Sequence, residues 1–163
     1  MEGENTDGIG LVRDMVANLG WTVQGSRVLI VGAGDTGLAL AAVLHGAGRR
    51  EEMLVEAYRG EPAARDALFL IPRSHYPTWD LIAANDRPDL DFLEWAYDLI
   101  YRRYPVDPDR QGLIGYSDGA SYALSIGLSN PRMFRAVMCW AAGFLVLDEG
   151  ILRTRRRLVP ERR

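Results

Sequence analysis

Residues 112–128 read GLIGYSDGASYALSIGL, and this stretch constrains the fold more than any other in the chain. GLIGY has the pattern of a short strand, and GASYALSIGL that of a helix entered through Gly119. Between them lies Gly115-Tyr116-Ser117-Asp118-Gly119, a G-x-S-x-G. A strand that turns this sharply into a helix needs small residues on both sides of the turn, so that the serine projects from the sheet with strained backbone angles. The helix then points its N-terminal dipole and free N–H groups at any oxyanion developing beside the serine. The pentapeptide alone is weak evidence. Its placement between strand and helix raises it above a plain strand–turn–helix with an exposed serine.

The rest of the chain supplies matching elements. RVLIV (27–31) reads as a buried parallel strand, ALFLI (67–71) as a second strand closed by Pro72, and AVMCW (136–140) as another. Residues 8–19 carry Ile9, Val12, Val16 and Leu19 at helical spacing, with Asn5, Thr6 and Asp7 as candidate caps and Gly20 as a stop. Residues 90–104 predict an amphipathic helix with Leu93, Ala96, Tyr97, Ile100 and Tyr104 on one face, followed by a turn at VDPDR (106–110). Strands alternating with helices predict an α/β fold: three layers, with a mostly parallel sheet and helices on both faces, forming an incomplete α/β-hydrolase or Rossmann-like core. With 163 residues, one α/β domain over 1–147 is expected, followed by an Arg-rich tail at 148–163. The tail's six arginines suit a solvated end, or less readily a phosphate contact.

Composition excludes several classes. A net charge of −3 and a pI near 5.4 give no reason to expect nucleic acid or an anionic membrane as partner. No apolar run approaches the roughly 20 residues of a membrane helix, and the start, MEGENTDGIG, is acidic and unlike a signal peptide. A single cysteine, Cys139 in an apolar run, suits a small buried hydrophobe in a reducing compartment, so a cytoplasmic protein is expected. All 19 basic residues are arginine, which removes lysine from any catalytic scheme.

Residues 43–147 resemble an α/β-hydrolase of the phospholipase/carboxylesterase type. VLHGAG (43–48) is similar to that family's oxyanion loop, EPAARDALFLIPRS (61–74) to its next helix and strand, and PTWDLI (77–82) to the following active-site loop. Residues 103–144 match its elbow region almost throughout. The resemblance implies Ser117 as nucleophile, the backbone N–H groups of Asp118 and Ala47 as oxyanion hole, and Trp79 as a wall of the acyl or alcohol pocket. It makes His45 a loop-shaping residue, and implies small carboxylic or lysophospholipid-like ester substrates, with no metal and no cofactor. The departure lies downstream. The triad of this fold runs Ser, Asp, His along the chain, yet His45 and His75 both precede Ser117. Asp118, Asp148, Glu149 and Glu161 follow it, none in a recognisable acid loop. His75, beside PTWDLI, is the candidate substitute base, against an ordinary loop histidine.

Residues 1–42 resemble the shikimate dehydrogenases through NTDGIGLVRDM (5–15) and GSRVLIVGAGDTGLALAAVL (25–44). In the second segment Gly32, Gly34 and Gly37 form a G-x-G-x-x-G loop after a strand, whose glycines permit close approach of a pyrophosphate resting on a helix N-terminus. That resemblance implies NADP or NAD as cofactor and Asp7 as a substrate-binding acid, although the family's catalytic lysine has no counterpart. Glu56 reads as a ribose-binding acid or as a solvated helix residue.

The two readings meet at ALAAVL. Alanine and leucine favour a helix for 36–44, while the 105 esterase-like residues that follow favour a strand leading into HGAG. The local preference leans to the helix, which would displace HGAG from an oxyanion role and leave RVLIV beside ALFLI. Three functions follow: a serine ester hydrolase with an incomplete triad, an NAD(P)-binding Rossmann-like module, or a non-catalytic fused remnant. An incomplete sheet leaves an open edge, which predicts self-association.

Overall fold

The computed structural model describes residues 27–31, 38–59, 67–83 and 86–146. They form a five-stranded sheet in the order β1-β3-β2-β4-β5, with β1 at Arg27–Val31, β2 at Leu38–Leu44, β3 at Ala67–Ile71, β4 at Val106–Tyr116 and β5 at Ala136–Trp140. Four helices connect them: α1 (Glu51–Arg59), α2 (Asp80–Ala83), α3 (Pro88–Arg103) and α4 (Asp118–Ser129). Strands β3, β2, β4 and β5 are parallel, and the fold is α/β as the alternation of patterns predicts. Among the described residues no helix is long and apolar enough to cross a membrane.

Leu38–Leu44 corrects the sequence expectation of a helix over 36–44. Leu40, Ala42 and Leu44 are fully buried against α3 and α4, while Ala41 and Val43 face α1. The segment pairs with β3 on one side and β4 on the other. Helix propensity separates these residue types by less than about 0.7 kcal/mol each. Burying one leucine side chain is worth about 1.5–3 kcal/mol, so the two-sided core and two ladders prevail.

Two further expectations change. RVLIV does lie beside ALFLI, but antiparallel to it, Arg27 opposite Ile71 and Val31 opposite Ala67. Six residues separate β1 from β2. That link suffices to step past β3 at one end of the sheet, whereas a parallel return needs a dozen residues or more. VDPDR is the first half of β4 rather than a turn, and the register against β2 shifts between Leu38 and Leu40.

The layers follow from strand alternation. One face buries Leu68, Leu70 and Leu113 with Leu93, Ala96, Tyr97 and Ile100 of α3 and Tyr122, Ala123 and Ile126 of α4. On the other, Phe69, Ile71 and Val43 meet Val55, Leu54 and Tyr58 of α1. Helix α3 begins at Pro88, a residue suited to the first helical position, and ends with Arg102 and Arg103 in its last turn, where cations favour the dipole. Cys139 is half-buried rather than enclosed, its thiol directed to the carbonyl of Ala120 at 3.3 Å.

Candidate active site

Ser117 stands between β4 and α4 with φ 54° and ψ −120°. A non-glycine residue there holds backbone strain of order 1–3 kcal/mol. The surrounding structure compels it: the Ser117 N–H donates to Trp140 O at 2.8 Å, and Ser117 O accepts from the N–H groups of Ala120 and Ser121 at 2.9 and 3.1 Å. Both flanking glycines are steric necessities. A Cβ on Gly115 would fall 2.3 Å from Gly119 O, and one on Gly119 would fall 2.3 Å from Leu44 O and 2.4 Å from His45 O. The helix start is thus laid directly across the ends of β2 and β4.

Because residues 38–44 form a strand, HGAG leaves its carboxyl end and is not displaced. A Cβ on Gly46 would lie 3.3 Å from Ser117 Cβ, so the loop passes immediately over the serine. Asp118 opens α4, where its N–H has no acceptor within the helix. Among the described residues no carbonyl takes the N–H of Ala47 or of Asp118. Asp118 directly follows Ser117, and Ala47 directly follows Gly46, the loop residue that passes over the serine.

A second loop, residues 74–79, fastens the first. His45 is 1% exposed, and its Nδ1–H donates to Gly46 O at 2.6 Å while Nε2 accepts from the Ser74 N–H at 3.1 Å. Those two contacts define the neutral Nδ1-protonated tautomer. Burial, which lowers its pKa, keeps it neutral against the opposing effect of the Gly46 carbonyl. Gly48 N–H donates to Pro77 O at 2.8 Å, and Arg49 donates to the carbonyls of His75 and Tyr76. Thr78 Oγ1–H donates to Asp118 Oδ2 at 2.7 Å, which ties the same loop to the first residue of α4.

Trp79 does not wall an open pocket. It is 1% exposed, stacks on Tyr122 at 4.9 Å between ring centroids, packs against the His45 ring and donates from Nε1 to His45 O at 2.9 Å. It supports the HGAG loop from beneath.

His75 is exposed, with its ring edge-on to Tyr76 at 4.8 Å. Among the described residues no side chain hydrogen-bonds Ser117 Oγ, so the structure brings neither histidine to the serine as a base. Also among the described residues, no group of His, Cys, Asp and Glu side chains is arranged to hold a metal.

Asp7, Gly32, Gly34 and Gly37 lie outside the described residues. Glu56 is on the exposed side of α1, on a helix and not at a strand end. The segment after the G-x-G-x-x-G loop is β2, so the helix N-terminus that should receive a pyrophosphate is missing at Leu38–Leu44. The residues present do not fit a dinucleotide in the manner the motif predicts.

Sequence reasoning missed Arg49, Ser74, Thr78, Asp80 and Asp89. Asp80 and Asp89 exchange hydrogen bonds. Asp80 Oδ2 accepts from the N–H groups of Asp89 and Leu90 at 2.8 and 3.1 Å, and Asp89 Oδ2 accepts from Asp80 N–H at 2.9 Å. Asp89 Oδ1 takes the His75 N–H at 2.6 Å. Burial raises both carboxyl pKa values, that of Asp89 to about 7.

No family model matches the chain. Among curated proteins, a shikimate dehydrogenase (NADP(+)) of Saccharophagus degradans is 66% identical over 32 residues, 20% of this chain and 12% of that protein. One of Xanthomonas campestris pv. campestris is 42% identical over 134 residues, 79% of this chain and 40% of that protein. The chain spans less than half the length of these relatives.

Solved structures point elsewhere. A fluorophosphonate-binding serine hydrolase of Staphylococcus aureus superposes with a TM-score of 0.61 at 18% identity, covering 73% of this chain and 51% of that one. The Bacillus cereus carboxylesterase gives 0.54 at 19% identity over 84% and 68% of the two chains. A carboxylesterase of Mesorhizobium loti gives 0.54 at 22% identity over 76% and 63%. The sheet and its helices therefore have the α/β-hydrolase fold of the carboxylesterases, in a chain whose curated sequence relatives are shikimate dehydrogenases.

Proposed function

We propose that this protein is a serine acyl-transfer scaffold of the carboxylesterase kind, which accepts acyl or phosphonyl groups on Ser117 without rapid turnover. The observation that carries the reading is the strained Ser117 backbone beneath the HGAG loop. The reading assigns the N–H groups of Ala47 and Asp118, which no carbonyl takes among the described residues, to the oxyanion hole. In this reading Ser117 Oγ attacks the carbonyl of a small ester and its proton leaves to water. The two N–H groups receive the tetrahedral oxyanion, the C–O bond to the alcohol breaks as the leaving oxygen takes a proton from water, and an acyl-serine and the free alcohol remain. With no base touching Oγ, the rate rests on the oxyanion hole and binding, roughly 10³–10⁴ over water.

Intact-mass analysis after fluorophosphonate treatment tests this, with Ser117→Ala as control. A single adduct lost in the variant supports it. No adduct on folded protein, or one that persists in the variant, overturns it. His75 is the base of the alternative scheme, and labelling slowed at least tenfold by His75→Ala would favour that scheme.

A second reading, NADP binding through Gly32, Gly34 and Gly37, rests on the shikimate dehydrogenase relatives. It ranks below the first because β2 replaces the helix such a loop requires. Titration calorimetry with NADP, repeated on Gly34→Asp, decides it.

A further inference from the structure

We propose that Asp89 is a positioning residue whose carboxylate latches the 74–80 loop, and through it the two oxyanion donors, in a proton-dependent way. The proposal rests on the Ser117 reading for its functional consequence, but its geometry stands apart from the serine. Asp89 is 4% exposed in the first turn of α3, and each of its oxygens accepts one backbone N–H, Oδ1 from His75 and Oδ2 from Asp80. Those two amides begin and end the segment that contains Tyr76, Pro77, Thr78 and Trp79. The segment in turn holds Gly48 through Pro77 O, His45 through Trp79 Nε1 and Asp118 through Thr78 Oγ1. One buried carboxylate thereby sets both sides of the oxyanion hole.

A carboxylate accepts both amides well, whereas a carboxyl group that carries a proton on one oxygen accepts poorly there. Protonation must therefore loosen one end of the segment. The groups around Asp89 make that proton accessible. Burial and the Asp80 charge favour the neutral acid, while the His75 and Asp80 amides and the Arg49 guanidinium favour the anion; the balance lies at about 7. Tyr76 from the same loop, Tyr122 from α4 and Arg87 ahead of α3 complete the surroundings. The Tyr122 hydroxyl lies against Asp80 and favours its anion.

The test is a ¹H–¹⁵N correlation series on the full chain from pH 5 to 8.5. The His75 and Asp80 amide resonances should move together with one midpoint near 7, and Asp89→Asn should abolish that movement while the amides of the rest of the chain stay dispersed. Should that variant not fold, the same series on His75→Gln, which keeps both amides and removes the imidazole, remains decisive. Amides that stay flat, or that titrate below pH 5, overturn the latch. Fluorophosphonate labelling over the same range should accelerate at least threefold more steeply with pH in wild type than in Asp89→Asn. Moving amides on a protein that never labels would sink the Ser117 reading alone. Labelling at Ser117 with flat amides would sink the latch alone.

Discussion

The carboxyl ends of β2 and β4 and the edge formed by β5 belong to one sheet and are finished very differently. At the first, hydrogen bonds knit the 45–49 and 74–79 loops to each other and to α4. Gly115 and Gly119 are in place because a side chain would collide with backbone, and Gly48 because its φ is +89°. At the second, Met138 and Trp140 are each half exposed, and by register they share a face with Ile114 and Tyr116; Ile114 packs against the α1 cluster, while Tyr116, Met138 and Trp140 stay exposed. The contrast teaches which part of the proposed site is local. Ser117, its strain and the donors assigned to it come from segments whose recorded partners lie among the described residues. In that reading a base must approach from another direction.

The largest effect that would break this contrast is at Gly119. Gly119→Ala should destabilise the protein by about 3–5 kcal/mol, because backbone carbonyls and not flexible side chains block the new methyl. Chemical denaturation measures it, and a loss under 1 kcal/mol would mean the helix start is not seated as described. Trp79→Ala should cost a similar 3–5 kcal/mol, and Trp79→Phe about 1–2 kcal/mol for the lost bond to His45 O.

Proton linkage sharpens the comparison next. Asp89 has a folded pKa near 7 against an ordinary value near 3.8. The native state therefore holds more protons between those values, and stability falls as pH rises from about 4 to 7. For this one group the protein should be about 2–3 kcal/mol less stable at pH 8 than at pH 5, a slope that Asp89→Asn removes. His45 acts oppositely: its lowered pKa makes its contribution full above 6.5 and lost as pH falls through the folded value. Urea midpoints across pH 4.5–8 for wild type, Asp89→Asn and His45→Gln separate the two. The smallest effect is expected on β5. Met138→Gln with Trp140→Gln should change monomer stability by less than about 0.5 kcal/mol, yet reduce any concentration-dependent self-association seen by sedimentation. Association unaltered by the pair would acquit this edge.

What could be read in the residues follows the same division. The elbow was legible because its demand is local and steric: Gly115, Ser117 and Gly119 announce a turn that few other residues fit. β2 was not, since Ala and Leu suit a helix in isolation and become a strand only through β3 and β4, which follow later in the chain. Trp79 was identified as important but given the wrong surroundings, because a sequence shows an aromatic residue and not what lies above it. Arg49, Thr78 and Asp80 act through contacts between distant segments, for which no spacing rule exists. Pro88-Asp89 did carry a signal, a proline and an acid at a helix start, but nothing in it distinguishes a solvent-facing acid from a buried one.

The angles at Ser117 have one more consequence. They are those of the first central position of a type II′ turn, where glycine is the most comfortable residue. Ser117→Gly should therefore stabilise the protein, by about 1 kcal/mol relative to Ser117→Ala. Where the hydroxyl has no use, selection for stability would drive this position toward glycine, so serine weighed against glycine at the same place in related chains serves as a gauge of whether the hydroxyl is used.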